Sequence, residues 1–196
     1  MQIIKALRKE LACMLAKGIY DETDQGILFP RQSVLAKGLY IDRVNGGEWN
    51  ESPNLLVDQG LAHILSVAFA ATAKPSNYYL ALFSGATAPA ANWTASNFAS
   101  VSSEIVSQSE GYTNATRPVW TPPSNTSSNS IDNWSSVASL TIATASSLNV
   151  TGAALLTNST RGGTTGVLVS ATKYSATRVF QNGDIFEVGY RVSLTV

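Results

Sequence analysis

Charge is what this chain has least of. Lys, Arg, Asp and Glu make up 13% of its 196 residues, and thirteen cations balance thirteen anions. A chain with no net charge has no bulk field to draw it onto nucleic acid or anionic lipid. Cysteine occurs once, at Cys13, which excludes an internal disulfide framework and a cysteine-based zinc cluster. Histidine also occurs once, at His63. No apolar run is long enough to span a bilayer. The first apolar turn gives way to charged residues, so no secretory leader is expected. The sequons at Asn92, Asn114, Asn133 and Asn149 then reflect composition rather than glycosylation.

What is abundant is Ser, Thr, Asn, Ala and Gly, a mixture suited to strands, turns and close contacts between subunits. The few charges gather in residues 1–43 and thin out between Val57 and Lys173. A weakly charged surface does little to keep copies apart in solution and suits burial in an assembly. The plainer alternative is a monomer coated in hydroxyls and amides.

Residues 2–17 have the spacing of an amphipathic helix, with Ile4, Leu7, Leu11, Met14 and Leu15 on one face and a stop at Gly18. Such a short helix needs a partner surface, either its own domain or a neighbouring subunit. Residues 19–32 read as a connector, and Ser33 to Val44 as extended chain. Asn45-Gly46-Gly47 predicts a hairpin that resumes at Glu48-Trp49. Leu56, Leu61, Ile64, Leu65, Ala68 and Phe69 predict a packed helix over 56–70, with Asp58 at its amino end.

Tyr78–Phe83 reads as a compact strand. Phe98, Val101 and Ile105 suggest a short helix, and Arg117–Thr121 an edge strand led by Pro118. Strands are then expected at Val137–Ala143, Leu148–Leu156, Gly166–Ala171, Ala176–Phe180 and Ile185–Val196, with a hairpin turn at Gln181–Asp184. The final strand alternates strictly. Phe186, Val188, Tyr190, Val192, Leu194 and Val196 share one face; Glu187, Arg191, Ser193 and Thr195 share the other. The predicted fold is mainly β: an antiparallel sandwich or jelly-roll-like domain (33–196) with one packed helix, preceded by a helical arm and connector (1–32).

Candidate chemistry is sparse. His63 sits among apolar neighbours and reads as a partly buried, hydrogen-bonded ring rather than a catalytic base. Asp21-Glu22-Thr23-Asp24 lacks the ligand spacing of an EF-hand loop. Arg161–Gly166 is glycine-rich but lacks the Lys-Ser/Thr of a phosphate loop, and reads as a mobile hairpin tip. Nothing nominates Glu104 and Glu110 as a glycosidase pair. The expectation is therefore no enzyme, no catalytic residue, no metal and no cofactor. Trp93, Trp120 and Trp134, in polar stretches, read as interface anchors ahead of sugar-stacking platforms.

Three stretches carry a resemblance. Asn54–Leu65, reading NLLVDQGLAHIL, resembles the "N-L-V-x-x-G-L-x-x-I-L" segment of small virion structural proteins of tailed bacteriophages. Gly111-Tyr112 with Arg117–Trp120 is similar to their "G-Y-x-R-x-x-W" pattern. Phe180–Tyr190 is similar to their "x-G-D-x-L-x-V-x-Y" hairpin. Tyr78–Leu82 departs from the "W-Y-x-G-L" strand of that group in its first aromatic and its glycine. The resemblance implies a virion component, commonly a capsid cement or decoration protein with a β-sandwich core; it does not settle head against tail, and the head is the preferred reading. Such a protein would bind between major capsid subunits and copies of itself as a homo-oligomer, with no direct contact to nucleic acid or membrane. Interface candidates are Ile4, Leu7, Leu11, Leu15, Trp93, Trp120 and Trp134. A tail, adaptor or fibre-attachment component and a carbohydrate-binding module are the alternatives.

Overall fold

The computed structural model describes residues 2–30, 34–124 and 126–195, with side chains from Leu7 onward. In chain order its elements are α1 (Gln2–Ala16), β1 (Tyr20–Glu22), β2 (Leu28–Pro30), β3 (Leu35–Val44), β4 (Asn50–Pro53), β5 (Leu55–Leu56), α2 (Asp58–Phe69), β6 (Tyr78–Phe83), α3 (Ala95–Ser102), β7 (Gly111–Tyr112), β8 (Val119–Trp120), β9 (Ser130–Asp132), β10 (Ala138–Ala143), β11 (Leu148–Leu156), β12 (Leu168–Phe180) and β13 (Ile185–Thr195). They fall into two compact units, divided between Leu35 and Ala36.

In the first unit, Gly18 ends α1 in the left-handed conformation at φ 67°. The Gly18 N–H donates to the Leu15 carbonyl and the Ile19 N–H to the Met14 carbonyl, both at 2.9 Å. This is a Schellman closure, which satisfies carbonyls the helix cannot use itself. The expected connector holds a small antiparallel hairpin, with Tyr20 opposite Pro30 and Glu22 opposite Leu28. Its tip is fastened by the Thr23 side chain, whose Oγ1 accepts from the Ile27 N–H at 3.1 Å. The short strands escape a periodicity reading because three residues cannot display a period. Ser33, the first residue of the expected extended stretch, lies outside the described residues, as does Val196.

The second unit is a β-sandwich of two antiparallel sheets. Sheet one has the order β4-β3-β13-β10-β7, with β9 paired to the far end of β13; sheet two has the order β5-β12-β11-β6-β8. In both, two adjacent strands from beyond residue 126 are flanked on each side by strands from before residue 124. Leu80, Leu82, Ala153 and Leu155 of sheet two meet Tyr40, Leu140, Ile142, Phe186, Val188 and Tyr190 of sheet one in a common core. The expected alternation of β13 holds there: Phe186, Val188 and Tyr190 are buried. It relaxes at the far end, where Val192 is half-buried and Leu194 exposed.

Sheet two is buried on its back as well. Ala81, Phe83, Ala154, Leu156, Leu168 and Ala171 pack there against Trp93, Ala95 and Phe98, delivered by α3 and the segment before it. Thr94 and Asn97 cap α3 reciprocally, the Thr94 N–H donating to Asn97 Oδ1 at 2.8 Å. Strands covered on two faces have no reason to alternate, which explains the unbroken apolar runs of β6 and the second half of β11.

Four local expectations change. Asn45 and Gly46 form the predicted turn with positive φ at both positions, but pairing resumes at Asn50, leaving Glu48 and Trp49 in the loop. The two strands expected over 166–180 are one, β12, with a register break against β11 between Val150 and Gly152 that mimics a gap in the pattern. Ile105 lies past the end of α3 and donates its N–H to the Leu82 carbonyl at 2.9 Å. The Gln181–Asp184 turn does not form a hairpin, because β12 belongs to sheet two and β13 to sheet one. The turn carries the chain across the core, and Phe180 and Phe186 on either side of it meet edge-to-face, ring centroids 5.0 Å apart.

Candidate interaction surface

The buried charges of the sandwich are committed to holding it together. Arg117 and Glu104 form a two-pronged ion pair, both contacts at 2.7 Å, with neither side chain exposed. Arg117 also donates to the Asn158 carbonyl at 2.9 Å, and Glu104 accepts from the Gly162 N–H at 3.0 Å. Each guanidinium nitrogen and each carboxylate oxygen of the pair thus has a partner, the condition for tolerating charge in a core.

Arg161 stacks its guanidinium 3.7 Å from the Tyr112 ring and donates to the carbonyls of Tyr112, Asn114, Ile105 and Ser107. The glycine-rich stretch expected as a mobile tip is therefore pinned at its first residue. Burial pushes the Tyr112 phenol up to about 12. Glu104, weighed as half of a carboxylate pair, is sealed inside an ion pair. Glu110 accepts instead from the Thr144 hydroxyl at 2.7 Å.

His63 has the partly buried, hydrogen-bonded ring expected of it. Its ring is half-buried on α2, Nε2 lies 3.0 Å from the Tyr78 hydroxyl, and burial lowers its pKa. No group of three His, Cys, Asp or Glu side chains among the described residues is placed to hold a metal ion.

The seven interface candidates separate. Of the arm residues, Leu7 and Leu11 are exposed, Leu15 is half-buried, and the Ile4 side chain lies outside the described residues. The tryptophans are more deeply placed than a polar setting suggests. Trp93 is core, edge-on to Phe83 and Phe98. Trp120 is core too, and its indole N–H donates to the Tyr190 carbonyl at 2.9 Å. Both are corrections: polar sequence neighbours do not keep an indole at the surface when distant strands supply its contacts. Trp134 is half-buried beneath the Arg191 guanidinium, 3.4 Å from its ring, and Arg191 is in turn paired with Asp132 at 2.8 Å. Trp49 carries Arg43 at 4.4 Å in the same manner, and Arg43 pairs with Glu187.

The apolar surface lies elsewhere. Gly60 on the buried side of α2 lets the helix approach β12 so closely that a Cβ would sit 2.0 Å from the Val169 carbonyl oxygen. With that side settled, Leu61, Leu65 and Phe69 point outward, and Phe69 is 86% exposed. Helical spacing alone assigns all three to the packed stripe, and their exposure corrects that expectation. Beside α2 opens a cleft of about 360 Å³ lined by Ile64, Tyr78, Trp120, Ile131, Tyr190 and Val192. Ile64, Ile131 and Val192 also line a shallower depression of about 250 Å³, which reaches Leu194. The first unit shows the same trait by itself: Leu7, Leu11, Ile19, Ile27 and Phe29 are exposed. No protein-family model matches the chain, and no curated protein matches it at a significant level.

Proposed function

We propose that this chain is a non-enzymatic assembly protein of a tailed-phage virion, a cement or decoration protein that binds between major capsid subunits and stabilises the head. The observation that carries the reading is the exposed apolar set of the first unit. Some 35 residues are too few to enclose a core, yet five large apolar side chains in that stretch face water. Such a segment gains its stability by docking on another chain.

The sandwich supports the same reading. Its buried Arg117–Glu104 pair braces loops, and two of its tryptophans are consumed internally. The sugar-binding alternative thereby loses two platforms and keeps one already stacked by Arg191. Many copies, each contributing modest free energy, would resist internal pressure through multivalency.

Electron cryo-microscopy and quantitative mass spectrometry of purified particles test the proposal. A copy number matching the capsid lattice, with residues 1–35 lying on neighbouring subunits, is expected. A handful of copies at one vertex would replace it with the tail or adaptor reading.

A further inference from the structure

We infer that the outward face of α2 is a self-association surface, through which two copies of this chain meet about a two-fold axis. The inference goes beyond the proposed function and does not rest on it.

A helix on a protein surface ordinarily turns charge to water, and one that is apolar all round is buried. From Gln59 to Ala73 there is no Asp, Glu, Lys or Arg. Leu61, Leu65 and Phe69 follow at four-residue steps, a ridge with the spacing for helix-on-helix packing. The buried side of α2 is already spent on the sandwich, at Gly60 against Val169, so the ridge needs a second surface.

Charge narrows the occupant. An acidic or basic partner would desolvate its charges against a face that offers none in return. An anionic membrane would find a single cation, Lys74 beyond the end of the helix, where interfacial helices are held to lipid by several. A second copy of α2 matches the face in being uncharged, and an isologous contact needs only a patch compatible with itself.

Area sets the extent. A specific interface buries roughly 800 Å² per partner. A twelve-residue helix is about 18 Å long and 10 Å across, too little alone. The contact therefore extends over the neighbouring cleft, whose rim carries Lys74–Asn77 just beyond the carboxy end of α2. Phe69 is the projecting group and the apolar cleft the receiving one; both are on one chain, so two copies exchange them reciprocally.

The test is sedimentation of the full chain from 1 to 200 μM, with three variants. A reversible dimer is expected. Leu65→Gln with Phe69→Ser should raise its dissociation constant at least tenfold while circular dichroism and melting stay unchanged. Leu7→Gln with Leu11→Gln should leave it intact, separating this contact from any made by the arm. In a Cys13→Ser background, Leu65→Cys should cross-link to itself on mild oxidation. A chain that stays monomeric at 200 μM, a dimer indifferent to the α2 pair, or a Leu65→Cys variant that does not cross-link would each overturn the inference. So would flotation of the wild-type chain with phosphatidylglycerol vesicles that is abolished by the α2 substitutions.

Discussion

The two sheets are built from strands of similar length, but one is covered on both faces over its central part and the other on one face. Sheet two lies between the common core and the layer formed by α3 with Trp93. Sheet one turns its outer face to water and finishes it with ion pairs: Arg43 with Glu187 and Arg191 with Asp132. The difference is written in sequence texture. β10 alternates buried and exposed residues, whereas β6 is apolar throughout. It should be legible in energetics too, since polar pairs are strong where water is absent and weak where it is not.

The hardest blow to the covered side is Arg117→Met, which strands Glu104 without its partner. A loss of about 3–5 kcal/mol is expected, read as a shift in urea midpoint. Phe98→Ala should follow closely, at about 3–5 kcal/mol, because it opens a cavity behind sheet two. Thr141→Ala, exposed on β10 of sheet one, should stay within about 0.5 kcal/mol. If the two cost the same, the contrast between the sheets fails.

Gly60→Ala drives a methyl into the Val169 carbonyl. A cost of about 1–3 kcal/mol is expected, with α2 displaced from β12 in the hydrogen-exchange pattern. Arg191→Ala, on the wet face, should cost no more than about 1–2 kcal/mol for the ion pair and the Trp134 stack together, with part of that lost in high salt.

The smallest effect is on pH dependence. Burial depresses the His63 pKa in the folded chain. The unfolded chain therefore binds the proton first as pH falls. Stability is full above the ordinary histidine value of 6.5 and declines from there towards the lower folded pKa. His63→Gln should flatten the thermal-melting profile across that window, and a slope that persists would assign it to another group.

Legibility followed locality. The strands Tyr78–Phe83 and Leu148–Leu156 could be read as short apolar runs bounded by turn residues, and β13 because its pattern and its burial share a period of two. α2 could be placed but not oriented: apolar residues surround the helix, so its sequence does not choose which of Ile64 or Leu65 faces inward. The Gln181–Asp184 turn specifies a reversal without specifying which sheet receives the next strand. Arg117 and Glu104 gave no signal, since thirteen residues separate them and neither has apolar periodicity around it. Glu104 is findable only once the Phe83–Glu104 bridge brings it to the edge of sheet two. Trp93 and Trp120 misled for the same reason, their contacts being with remote strands.

The order of strands has a mechanical corollary. Each sheet holds a central pair from the later half of the chain between outer strands from the earlier half. A protease that severs the serine- and asparagine-rich stretch between Trp120 and Ser130 would leave two fragments clasped like interlaced fingers. They would migrate as one species in native gels and part only on denaturation. Neither fragment could complete a sheet by itself, so the two halves should regain native structure only when refolded together.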